Sequence, residues 1–134
     1  MTITAKQQHF INVWMPQAMV AGAALSIAPP VLIAQWALET GWQGPRWQPG
    51  GEWQYNMGNL TFGGVIAHYA TPADFTKEFV QIMRSNFPAA CGTGANVHAF
   101  VHGLLHGRLG KYFTADPVAY EEAVTEIAHS AAPA

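Results

Sequence analysis

Between Lys6 and Arg46 the chain carries one charged side chain, Glu39, near the end of the apolar run VLIAQWALETGW. The run reads as a helix that Gly41 ends, which puts the carboxylate in the last helical turn. The macrodipole places partial negative charge there and disfavours the ionised form. Trp36, Leu38 and Trp42 are neighbours in sequence, and their bulk would strip water from the carboxylate. Both effects raise its pKa. A carboxyl that stays protonated near neutral pH is what a general acid requires. The alternative is a glutamate at a helix end that points into water.

His98, His102 and His106 recur every four residues. An i, i+4 histidine pair can ligate zinc, yet no acidic or cysteine partner is evident and the segment is otherwise apolar. A polar stripe on one helix face is the expectation, with no metal and no cofactor. Cys91 is the single cysteine. It excludes an internal disulfide and a cysteine-based zinc site, and reads as an inert, partly buried thiol.

Only 10% of the 134 residues are charged and 50% are hydrophobic, against about a quarter charged in ordinary domains. The surface must be polar through Gln, Asn, Thr, Ser and His, or else partly apolar. With net charge −2 and no basic run, nucleic-acid binding has no electrostatic support. The stretch MVAGAALSIAPPVLIAQWAL is broken by Pro29-Pro30, so it is not the unbroken apolar run a membrane span needs. MTITAKQQHF has one lysine and no apolar segment directly behind it, and no secretory signal is read there.

The elements that must position these residues follow from periodicity and caps. Residues from about Thr4 to Leu25 read as a first helix, with Phe10, Val13, Trp14, Met19 and Leu25 on its apolar face. Pro16 should kink that helix or mark its true start. A second helix, about Pro30 to Thr40, is apolar nearly all round and is the expected buried central helix. From Gly41 to Gly64 there are seven glycines and two prolines, a loop with a short strand around NLTF or GVIAHY. Thr71 should cap a third helix, with Pro72 first in it and Asp74 near the positive end of its dipole. It should reach Ser85 or Asn86. CGTG is a turn, a fourth helix spans about Ala95 to His106, and a fifth is capped by Asp116 with Pro117 first. The length suits one domain, residues 1–134, around one core.

Three blocks in this order resemble a known family. PPVLIAQWALETGW, YNMGNLTF and YFTADPVAYEEAV are similar to segments of the glucosaminidases (glycoside hydrolase family 73), in the lysozyme-like superfamily, which include the flagellar muramidase domain and many bacterial autolysins. The family's A-Q-x-A-L-E-S/T-G-W block is matched closely from Ala34 to Trp42. Its Y-N-L/M/V-F-G-I/V block is matched in part from Tyr55 to Leu60. Its Y-A-T-D-P-x-Y block is matched loosely from Tyr112 to Tyr120. AHYATPADF resembles the segment before the family's next helix.

The resemblance implies a mainly α, lysozyme-like helical domain that cleaves the peptidoglycan glycan between N-acetylglucosamine and N-acetylmuramic acid. Its catalytic acid maps to Glu39. Family members carry a β-hairpin lobe that supplies a second carboxylate. Here only TFGGVIA separates Leu60 from His68, so a reduced or absent lobe is expected and the second acid is missing from its place. Glu52 and Asp74 are the nearest candidates, although Asp74 has a simpler reading as a first-turn residue and Glu52 as a solvated loop charge.

Trp42, Trp47 and Trp53 share the glycine-rich loop beside Glu39, where flat aromatic faces suit sugar rings; the competing reading is core filling. Tyr55, Asn56 and Asn59 belong to the second block, and either asparagine could hold an acetamido group or the loop itself. Tyr112 maps onto a family tyrosine near the scissile bond, or is a core aromatic.

The expectation is therefore peptidoglycan glycan-strand cleavage with Glu39 as general acid, hydrolytic or lytic transglycosylase-like. The rival is a glycan-binding or assembly module that kept the fold and lost turnover. The expected partner is the peptidoglycan glycan strand at the cell wall, reached through a phage tail, a holin or a secretion apparatus.

Overall fold

A computed structural model describes residues 1–133. Five helices, α1 (Ala5–Leu25), α2 (Pro29–Thr40), α3 (Pro72–Asn86), α4 (Val97–Leu105) and α5 (Pro117–Ala131), surround one core, and a small hairpin pairs β1 (Thr61–Phe62) with β2 (Val65–Ile66).

Each helix begins where a side chain can satisfy its free N–H groups. Thr4 and Gln7 cap α1 reciprocally, each side chain accepting from the other's backbone N–H at 3.1 and 3.0 Å. The helix continues through Pro16, so that proline is not its start. Pro29 and Pro30 occupy the opening of α2, where no N–H is needed. Thr71 accepts from the Asp74 N–H at 3.1 Å to start α3. Asn96 accepts from the Ala99 N–H at 3.0 Å, which sets the start of α4 at Val97 rather than Ala95. Asp116 accepts from the Ala119 N–H at 2.9 Å to start α5.

Val31 through Ala37 are all buried, because α2 packs against both α1 and α5. Trp36 lies at its centre, with the rings of Phe75 and Phe79 from α3 at 5.3 and 5.4 Å and Trp14 from α1 at 6.1 Å. Side chains of this size, fully buried, each contribute about 1.5–3 kcal/mol of transfer free energy. They fix α2 relative to the other helices, and with it the place of its last turn.

The loop between α2 and α3 contains the hairpin. Gly63 and Gly64 both have positive φ, 58° and 80°, as a two-residue turn between twisted antiparallel strands demands. The expected strand around NLTF or GVIAHY is thus two strands of two residues, a much reduced lobe. Among the described residues no helix is long and apolar enough to cross a membrane.

Candidate active site

Glu39 lies in the last turn of α2, and the chain leaves that turn abruptly. Gly41, Trp42 and Gln43 all have left-handed φ values, 57°, 60° and 57°, a conformation that costs a side-chain-bearing residue about 1–2 kcal/mol. The surroundings hold it. Thr40 Oγ1 accepts from the Gln43 N–H at 2.8 Å, and Trp14 Nε1 donates to Gln43 Oε1 at 2.9 Å. The Trp42 N–H donates to Ala37 O and the Gly44 N–H to Thr40 O, each at 2.9 Å.

Two side chains hold the carboxyl. Asn59 Nδ2 donates to Glu39 Oε2 at 3.1 Å and to the Glu39 backbone carbonyl at 2.6 Å. That second bond satisfies one of the carbonyls a helix C-terminus leaves free. Asn59 has a φ of 53° and is itself oriented by Trp47 Nε1, which donates to its Oδ1 at 2.8 Å. On the other side Tyr120 Oη, from α5, donates to Glu39 Oε1 at the longer distance of 3.3 Å. Burial raises the Glu39 pKa from 4.5 to about 7 and outweighs the two hydrogen bonds, which act to lower it. Burial, with the Glu39 charge nearby, also holds the phenols of Tyr112 and Tyr120 well above the usual range. Both therefore remain O–H donors.

Glu39 opens onto a hollow of about 410 Å³ lined with Leu38, Tyr112, Phe113 and Tyr120. The Phe113 ring stacks on Tyr120 at 3.8 Å and 8°. Tyr112 also lines a second hollow of about 420 Å³, walled by the hairpin segment from Gly58 to Gly63, the end of α3, and Leu109 and Lys111. The Tyr112 hydroxyl donates to Gly58 O at 2.6 Å. The two hollows adjoin at Tyr112, which lines both, and together they make up one candidate groove. Glu39 is the one carboxylate, and Lys111 the one cation, among the residues lining them.

Of the residues singled out from sequence, Glu39, Asn59 and Tyr112 come together here. Others do not. Asn56 is fully buried, and its Nδ2 donates to Leu60 O at 2.9 Å and Ala67 O at 2.8 Å while its Oδ1 accepts from the Leu60 N–H at 2.8 Å. It clamps the base of the hairpin, so of the two roles open to it in the sequence it takes that of holding the loop and not that of an acetamido contact. Trp42, Trp47, Trp53 and Tyr55 line neither half of the groove. Trp42 packs edge-on to Phe10 at 5.5 Å, Tyr55 against Trp14 at 6.2 Å, and Trp47 tilts against Trp53 at 6.2 Å. They build the loop that carries Asn59, and Trp47 reaches Glu39 only through that asparagine.

Glu52 faces Arg46 Nε at 3.7 Å with 56% of its side chain exposed, and Asp74 is an exposed first-turn residue of α3. Neither lines the groove. The histidine stripe does have an acidic neighbour, contrary to expectation, since His98 Nδ1 lies 2.6 Å from Glu121 Oε1. Among the described residues no group of three or more metal-ligating side chains assembles. Tyr120 went unremarked as a site residue in the sequence. Its signal was its place as the last tyrosine of the third block, 81 residues from the carboxylate it touches.

No family model matches the chain, and no curated protein matches it. Solved structures do. A mutant of the peptidoglycan hydrolase from Sphingomonas sp. A1 superposes with a TM-score of 0.75 at 20% identity, covering 95% of this chain and 99% of that one. Another structure of the hydrolase from the same organism gives 0.74 at 22% identity, covering 95% and 96%. At this identity the likeness is one of fold: a mainly helical, lysozyme-like architecture with a reduced sheet lobe.

Proposed function

We propose that this protein cleaves the glycan strand of peptidoglycan as an endo-β-N-acetylglucosaminidase, with Glu39 as general acid. The observation that carries the reading is a buried carboxyl with a pKa of about 7 opening into a groove beside two phenols. Asn59 engages Oε2 as an acceptor at 3.1 Å, while the 3.3 Å contact from Tyr120 leaves Oε1 the oxygen better able to present a proton to the groove. The fold shared with a peptidoglycan hydrolase supports the substrate class. On this reading the protein acts at the cell wall, delivered by a phage, holin or secretion route.

Two-carboxylate glycosidases place their acids about 5–5.5 Å apart when retaining and about 6.5–9.5 Å apart when inverting. Glu39 has no such partner among the residues that line the groove. The reaction we propose therefore runs on one carboxyl. Glu39 gives its proton to the glycosidic oxygen, and the C1–O bond breaks with its electron pair on that oxygen. The carbonyl oxygen of the N-acetyl group on the same sugar bonds to C1. Water then attacks C1, the ring so formed reopens, and the water's proton returns to Glu39. The alternative has the 6-hydroxyl of a muramic acid attack C1 and lose its proton to Glu39, giving an anhydro end by transglycosylase-like cleavage.

Mass spectrometry of muropeptides from digested sacculi tests this. A new reducing N-acetylglucosamine end is expected. An anhydro-muramic end would replace the first route with the second. Glu52→Gln and Asp74→Asn should each retain activity within a few-fold of wild type. A folded variant of either that releases nothing would establish a second carboxylate and overturn the one-carboxyl mechanism.

A further inference from the structure

The hairpin-side half of the groove has a chemistry that proton transfer at Glu39 does not use. Its rims carry apolar side chains held open to solvent, Phe62 at 42% and Leu109 at 84% exposed. Asn86 and Thr61 add neutral polar groups to its lining. Lys111 is its one charged residue, is exposed, and has no ion-pair partner among the described residues. The chain has only six lysines and arginines in all, and Lys111 is the one of them that lines either hollow. This half adjoins the Glu39 half: Tyr112 lines both, and Asn59 lines one while bonding to the carboxyl in the other.

We infer that the hollow between the hairpin and the Leu109–Tyr112 loop is a subsite for a sugar bearing an anionic substituent, and that Lys111 is the residue that reads that charge. The inference rests on the glycan-strand reading of the groove. In peptidoglycan every second sugar carries a lactyl ether extended by an acidic peptide, whereas a chitin-like strand carries no charge. An apolar rim suits the apolar face of a sugar ring, and an unpaired ammonium beside it suits a carboxylate on that sugar's substituent. Lys111 would then favour muramyl-containing strands over neutral ones and fix which sugar sits on the hairpin side of Glu39.

The test is a binding titration that needs no turnover. Glu39→Gln protein is titrated with a tetrasaccharide of alternating N-acetylglucosamine and N-acetylmuramic acid carrying stem peptides, and with the same fragment after its carboxyl groups are converted to amides. Adding Lys111→Gln should weaken binding of the charged fragment by about three- to fivefold, and Lys111→Glu by about tenfold, at low salt. Binding of the amidated fragment should change by less than about twofold. Equal losses on both fragments, or no loss on either, would overturn the assignment. The two readings fail separately. Lys111-dependent binding by a wild-type protein that releases nothing from sacculi sinks the hydrolase and keeps the subsite. Cleavage with Lys111-independent binding does the reverse, and binding to neither fragment sinks both.

Discussion

Holding the Glu39 carboxyl protonated near neutral pH makes the fold sensitive to alkali. In the unfolded chain this group titrates near 4.5, and in the folded protein near 7. Between those values the folded state keeps a proton that the unfolded state has lost. The contribution of Glu39 to stability is therefore greatest below pH 4.5, falls as pH rises through the window by up to about 3 kcal/mol, and levels off above pH 7. An amide in that place has no proton to lose. Glu39→Gln should be more stable than wild type at pH 8, with the difference shrinking toward zero at pH 4.5. Denaturant midpoints across that range measure it, and parallel profiles for the two proteins would contradict the raised pKa. The mechanism we propose uses the acid form, so activity should fall over the same upper limb.

At the scale of elements, what was legible in the sequence was whatever is encoded within a few residues. Thr71, Asp116 and Gly41 announce helix ends because capping is local chemistry, and these ends lie where expected. The role of Asn56 was not legible. An asparagine in a glycine-rich loop reads equally as a ligand contact or a strut, and only the folded hairpin brings Leu60 and Ala67 to its amide. Asn56→Ala should leave those buried backbone groups without partners and cost on the order of 2 kcal/mol, read as a lower denaturant midpoint. An unchanged midpoint would contradict the clamp.

The choice between the two readings of the tryptophans was not legible for a related reason. Composition places Trp42, Trp47 and Trp53 beside Glu39 in sequence, but the left-handed turn from Gly41 to Gln43 redirects the chain. They become supports of the loop rather than walls of the groove. At the scale of the whole molecule, the groove exists because α2 packs against α5, bringing Tyr120 to a carboxylate 81 residues away. No periodicity or spacing encodes such a contact, and only the resemblance to a three-block family hinted that the first and last blocks meet. The same assembly leaves one ionisable side chain of opposite type in each hollow, the Glu39 carboxyl in one and the Lys111 ammonium in the other, in a chain that is otherwise charge-poor. It offers a proton on one side and a resident cation on the other.

The claim on which the rest depends is that Glu39 is the proton donor. Its most direct test is the rate at which purified wild-type and Glu39→Gln proteins release soluble glycan fragments from the same sacculi at pH 6, with folding of both confirmed by circular dichroism. A loss of at least about a hundredfold is predicted for the amide, as for removal of a general acid. A folded Glu39→Gln protein that releases fragments at close to the wild-type rate would contradict it.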